Sequence, residues 1–347
     1  MIKHDTRIIS FDVMRVIAAF AVVWQHICGQ NWAGTFPSFE WDVRNFYVSF
    51  AQWSVPMFIM ISGALFLSPD KPLNIKRLFR KNLVRIICAF FFWSFIYEVV
   101  TNGLDNCVKI LFLSVLKGPA HFWFLKIMIG LYLLIPILKP LTTNKQTFNY
   151  LVCLSIVTAV ILPAVLDHIW ILNEQWMILL KDYFDGFGVA SFGFASYFVL
   201  GHFLYTTSME KHVRLGIYLF AIMSFVCSII CNHFYAYCRD YHSVFFYVDF
   251  HPFTFLESIG VFVFIKENCK RLSPFVRRVV LYLSNSSFGI FLVHPLFMYI
   301  LDDSLSINSS SYNPLFFIPI YVILIFILSC LLVKGISYIP RLSKTII

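Results

Sequence analysis

The chain has 347 residues, 59% hydrophobic and only 13% charged, with a net charge of +9 and a mean hydropathy of +0.77. A soluble domain carries about 25% charged residues, so this chain lacks the polar surface to cover a water-soluble globule. It reads as an all-α, polytopic membrane helix bundle, and its positive charge follows from cytoplasmic loops that collect Lys and Arg, with no nucleic-acid partner expected.

The amino terminus, "MIKHDTRIIS", has the basic character of a signal peptide. The apolar run after it is too long, contains Arg15 and ends without a small-x-small cleavage site, so it is expected to be retained as the first span. Apolar stretches of about 20 residues, enough to cross a bilayer, then recur in order. Their limits are 10–30, 46–68, 83–101, 122–140, 149–168, 189–206, 214–232, 250–266, 280–301 and 315–338. They predict about ten transmembrane helices in a single domain, 1–347, with no internal repeat and no appended soluble module. Residues 104–117 are expected to form a short amphipathic helix in an outer loop. The nine cysteines include no C-x-x-C pair and no zinc-like Cys/His spacing; most fall in apolar runs as small core residues, and no metal site is expected.

Loop charge sets the orientation. With both termini in the cytoplasm, the inner segments and adjoining helix ends hold roughly twenty of the 27 Lys and Arg, and the outer segments hold most of the acids. "DKPLNIKRLFRKNLVR" and "KENCKRLSPFVRR" are the two densest basic segments.

Ionisable groups inside spans are costly and ask for a reason. Arg15 and His26 lie eleven residues apart, about 20° past three full turns and roughly 16 Å along the axis, so they share a helix face. Asp12 is three residues before Arg15 and within pairing reach. The structural reading is snorkelling of Arg15 to the inner headgroups and an interhelical hydrogen bond for His26. The functional reading is a polar cavity, because His121, Lys126, Glu257 and His294 fall at a similar outer depth; Glu98 is nearer the interface. On the inner side, Arg77, Arg80, Lys81 and Arg85 recur at three and four residues ahead of the third span. They are either a positive-inside anchor or a phosphate-binding surface.

These stretches resemble the membrane-bound acyltransferase-3 family. "ISFDVMRVIAAFAVVWQH" is similar to its first span, with the Arg-x10-His pattern on Arg15 and His26. "VPMFIMISGALFL" resembles the second, with Phe58, Ser62 and Gly63 on the Phe-x-x-Ser-Gly signature in slightly altered form. "FRKNLVRII" resembles the basic approach to the third span, and "AHFWFLKIMIGLYLLIPIL" the stretch with His121, Trp123, Phe124 and Leu125. "SSFGIFLVHP" resembles the late pattern that ends at His294. The likeness runs from residue 9 to about residue 300. Two departures stand out: Arg80-Lys81 replaces adjacent arginines, and Cys88-Ala89 occupies a region where proline is common. The carboxy-terminal hydrolase-like domain of some relatives is not expected here.

The resemblance implies an integral-membrane O-acyltransferase of the bacterial cytoplasmic membrane. Such an enzyme moves an acetyl group from cytoplasmic acetyl-CoA to a hydroxyl of a surface polysaccharide, such as lipopolysaccharide, or of a lipid-linked glycan precursor. His26 is then expected as general base, or as a transient acetyl carrier, since a neutral imidazole takes a proton near physiological pH. Arg15 positions the donor or neutralises its charge, and Asp12 holds Arg15. Arg77, Arg80, Lys81 and Arg85 are expected on the CoA phosphates. His121, Trp123, Glu257 and His294 are acceptor-side candidates, Trp123 as a sugar-stacking platform or an interfacial anchor. A transporter or flippase of glycan intermediates is the competing class, since polar intramembrane residues suit a passage equally well; a CoA-binding sensor without chemistry is a third.

Overall fold

The computed structural model describes residues 7–70, 72–103, 108–165, 193–339 and 345–347, and among them the regular structure is helical throughout. The helices are α1 (Ile9–Gly29), α2 (Phe39–Ser49), α3 (Ser54–Phe66), α4 (Ile75–Asn102), α5 (Val108–Lys117), α6 (Ala120–Leu141), α7 (Lys145–Val165), α8 (Gly193–Thr206), α9 (Lys211–Arg239), α10 (Pro252–Asn268), α11 (Pro274–Leu305) and α12 (Pro314–Ser337).

Nine helical runs among the described residues are long and apolar enough to cross a membrane. They correspond to nine of the ten expected spans. The expected span 189–206 falls on α8, of which 14 residues are described; residues 189–192 lie outside the described residues, as do 166–168 of the span before it. Two boundaries differ from the sequence reading. The second crossing runs over Phe39–Phe66 and breaks at residues 50–53 into α2 and α3. The third begins at Ile75, because the basic segment is itself helical, wound as a π-turn over Leu78–Leu83. Of the short helix expected at 104–117, residues 108–117 form α5, and 104–107 lie outside the described residues.

Several starts follow from local chemistry. His251, Ser273 and Asn313 each accept a backbone N–H from the first turn of α10, α11 and α12, and each is followed by a proline whose missing N–H costs nothing there. Helix α1 is central and packs against α3, α11 and α12, while α9 is mostly turned outward. Helices α3 and α8 cross with backbones in near contact. A Cβ on Gly63 would lie 1.7 Å from the Phe198 carbonyl oxygen, and one on Gly201 would lie 2.1 Å from that of Met60. Small residues at such crossings let helices approach where lipid offers no hydrophobic drive. The Gly63 of the altered signature is thus explained by packing.

Candidate active site

Helix α1 ends in a turn that carries His26, and α11 brings His294 against it. His294 Nδ1 lies 3.1 Å from the Ile290 carbonyl, one turn back on its own helix. A carbonyl only accepts, so Nδ1 carries the proton and Nε2 presents a lone pair. That lone pair meets His26 Nδ1 at 3.0 Å. His26 Nδ1 is also 3.1 Å from the Val22 carbonyl. Both neighbours accept, so the network assigns the proton of His26 to Nδ1 and leaves its Nε2 as a base. His294 is fully buried, whereas His26 keeps accessible surface on the cavity it lines.

The turn of α11 that holds His294 is shaped by Pro295. Proline cannot donate to the carbonyl four residues back and opens the ladder. The Tyr97 hydroxyl from α4 enters the gap, donating to the Leu292 carbonyl (2.9 Å) and accepting from the Leu296 N–H (3.0 Å). Tyr97 also packs edge-on to His121, whose ring centroid lies 6.2 Å from that of His26 and 5.9 Å from that of His294. His121 Nε2 is buried with no hydrogen-bond partner among the described residues.

A cavity of about 220 Å³ opens on this histidine cluster. Gln25, His26, His121, Trp123, Tyr247 and Asp249 supply its polar and aromatic lining. A second, smaller cavity of about 140 Å³ lies toward the other end of α1, lined by Arg15, Ser62, Tyr132 and Ser287 among others. Phe124 and Phe291 belong to the walls of both, packed edge-to-face at 5.2 Å. Beyond Arg15, a third cavity of about 870 Å³ is lined by Lys76, Arg77, Arg80, Lys81 and Arg85, with Asn74, Val84, Thr345 and Ile347. The Arg85 guanidinium sits over the Phe288 ring at 5.2 Å, and Phe288 lines the Arg15 cavity. Arg85 also donates to the Ile347 carbonyl, and Trp93 Nε1 donates to that of Ile346 (3.0 Å).

Asp12 is fully buried, and its main partner is one the sequence reading missed. Arg7 grips the carboxylate through Nε (2.7 Å) and Nη2 (2.8 Å), and Ser284 Oγ donates at 2.6 Å. Arg15 reaches it through a single 3.3 Å contact. Asp12 therefore ties the start of α1 to α11, with Arg15 as a looser third partner.

The sequence matches the model of the acyltransferase-3 family, described as an acyltransferase domain, over residues 8–334. The chain is a member of the acyltransferase-3 family. No curated protein and no solved structure matches it.

In this membrane acyltransferase, the structure gathers His26, His121 and Trp123 around one cavity, with the buried His294 behind His26, and Arg77, Arg80, Lys81 and Arg85 around another. It does not bring Glu257 to the histidines. Glu257 lies between α10 and α9, where Ser228 Oγ donates to its Oε1 at 3.4 Å, and it borders an apolar groove with Phe50, Trp53 and Phe225. Equal depth along a span says nothing about which way a side chain faces. Lys126 is likewise apart: it is exposed and donates to the Lys117 carbonyl at 2.7 Å. Among the described residues no group of three or more His, Cys, Asp or Glu is arranged to hold a metal, and the cysteines there are free thiols.

Proposed function

We propose that this acyltransferase moves an acetyl group from cytoplasmic acetyl-CoA to a hydroxyl of a surface polysaccharide or lipid-linked glycan precursor, at the bacterial cytoplasmic membrane. The observation that carries the reading is a series of three cavities: two are lined by α1, one at His26 beside His294 and one at Arg15, and the third is the basic cavity, joined to the Arg15 cavity where Arg85 sits over Phe288. A CoA moiety is a polyanion on a long flexible arm. Its phosphates suit Arg77, Arg80, Lys81 and Arg85, where guanidinium groups bind phosphate oxygens in pairs. The arm then runs past Arg15 and brings the thioester to His26. For it to pass, the Phe124 and Phe291 rings must swing aside.

At the far end, His26 Nε2 removes the proton from the acceptor hydroxyl as its oxygen attacks the thioester carbonyl. The new C–O bond forms, the C–S bond breaks, and the imidazolium returns its proton to the departing CoA thiolate. During transfer the positive charge on His26 is shared through Nδ1–H with the His294 lone pair and the Val22 carbonyl. His294 is thus a positioning residue rather than an acceptor-side contact. Arg15 offsets negative charge on the donor as it nears the reacting carbon.

Proteoliposomes separate this reading from a transporter. Labelled acetyl-CoA supplied at the basic face is expected to be consumed, with free CoA appearing on the same side. Passage of a labelled glycan intermediate without acetyl-CoA consumption would favour transport and exclude transfer.

A further inference from the structure

Asp249 was not marked by the sequence, yet it lines the cavity of His26, His121 and Trp123. Its backbone carbonyl and the residues around it in the turn are held by hydrogen bonds. Tyr197 donates its hydroxyl to the Asp249 carbonyl. The neighbouring Tyr247 hydroxyl donates to Asn45 Oδ1 at 2.7 Å, and the His251 N–H donates to the Val248 carbonyl at 3.0 Å. Asn45 is itself held by Asn232 of α9 at 2.8 Å. The carboxylate, by contrast, has no hydrogen bond or ion pair with any described residue. A fixed turn that carries a carboxylate with no partner among the described residues, on the same cavity as a buried His121 whose Nε2 has none among them either, is the arrangement of a ligand contact.

The chemistry of the contact follows. A carboxyl group offers two oxygens and can engage two neighbouring hydroxyls at once. It lines the His26 cavity and not the basic one of Arg77, Arg80, Lys81 and Arg85, so it is assigned to the acceptor and not to the CoA phosphates. Trp123, more than a third exposed and packed against Phe194 at 5.4 Å between centroids, offers an apolar aromatic face on the same cavity. The volume of about 220 Å³ equals roughly seven waters at liquid density, room for one ring rather than an extended chain.

We propose that Asp249 is the specificity-determining residue for the acceptor. Its carboxylate receives two neighbouring hydroxyls of a pyranose ring, Trp123 covers the ring's apolar face, and a third position on that ring is thereby held at His26. The inference rests on the acetyl-transfer reading above and narrows its acceptor to a sugar with a free vicinal diol.

The test uses the full chain in nanodiscs with labelled acetyl-CoA. Acceptors are methyl hexopyranosides and their monodeoxy analogues, with glycerol and ethanolamine as non-sugar controls. Label is expected on the hexopyranosides, and loss of one diol hydroxyl is expected to lower kcat/KM tenfold or more. Asp249→Asn is expected to raise the glycoside KM at least tenfold, with kcat changed less than threefold and the KM for acetyl-CoA unmoved. It should also erase the penalty for the deoxy sugars, and Asp249→Glu should restore part of it. A folded Asp249→Asn protein with the parental glycoside KM overturns the proposal, as does label appearing only on glycerol or ethanolamine. If acetyl-CoA turns over in a His26-dependent way while Asp249→Asn is silent, the Asp249 assignment alone is lost. If acetyl-CoA is not turned over at all, the reading beneath it is lost too.

Discussion

Replacing His294 by leucine probes the imidazole pair directly. In the resting enzyme, His26 Nδ1–H has two acceptors, His294 Nε2 at 3.0 Å and the Val22 carbonyl at 3.1 Å. Removing one leaves the tautomer in place, so His26 remains a base. The loss falls on the transition state, where His26 becomes an imidazolium and the bond to His294 becomes charge-assisted. Such bonds contribute about 1.5–3 kcal/mol, which converts to a fall in kcat of about 10- to 150-fold. The KM for either substrate is expected to change little, because the bond strengthens only as charge develops. His294→Gln, whose amide oxygen can accept from Nδ1–H, should recover much of the loss. Continuous detection of CoA thiol, with folded protein quantified by size-exclusion chromatography, measures both constants. A leucine variant within twofold of the parent kcat, or one that alters only KM, would refute the positioning role.

Other outcomes follow from the same geometry. Arg80→Ala and Lys81→Ala are each expected to raise the KM for acetyl-CoA about five- to tenfold, an effect that shrinks at high salt, as titration with and without added salt will show. Gly63→Ala forces a Cβ to 1.7 Å from the Phe198 carbonyl and should destabilise the bundle by several kcal/mol, on the order of 3 or more, seen as a loss of folded protein or a lower thermal midpoint in detergent. Tyr97→Phe leaves the Leu292 carbonyl and Leu296 N–H without the hydroxyl that joins them. It is expected to cost about 2–4 kcal/mol and to lower kcat by shifting His294, both measurable on one preparation. Asp12→Asn weakens the Arg7 grip; Arg7 is almost half exposed, so the cost is discounted to about 1–2 kcal/mol, and a thermal midpoint equal to the parent's would contradict the tie between α1 and α11.

The spans were legible because each is a long apolar run, and the shared face of Arg15 and His26 was legible because both sit on one helix of known period. Helical period also placed Arg77, Arg80, Lys81 and Arg85 together. What was not legible depends on tertiary contact. Arg7 precedes the first helix, and only folding turns it back onto Asp12. Tyr97 looks like any interfacial tyrosine until Pro295 of another helix opens a gap for it. Glu257 shares a depth with His26 but faces another helix pair. Asp249 sits in a turn just before α10, placed by Tyr197, Tyr247 and Asn45 from three separate segments. Arg44 gave no signal either: it is fully buried and holds the Cys28 and Gln30 carbonyls together with Ser309 and Ser310.

The central claim is that His26 Nε2 takes the acceptor proton during acyl transfer. Single-turnover reaction of the His26→Ala protein with labelled acetyl-CoA and a glycan acceptor tests it most directly, with donor binding followed in parallel. The account predicts that acetyl-CoA still binds with the parental affinity while label transfer falls at least a thousandfold. Transfer at the parental rate by the folded variant would contradict it.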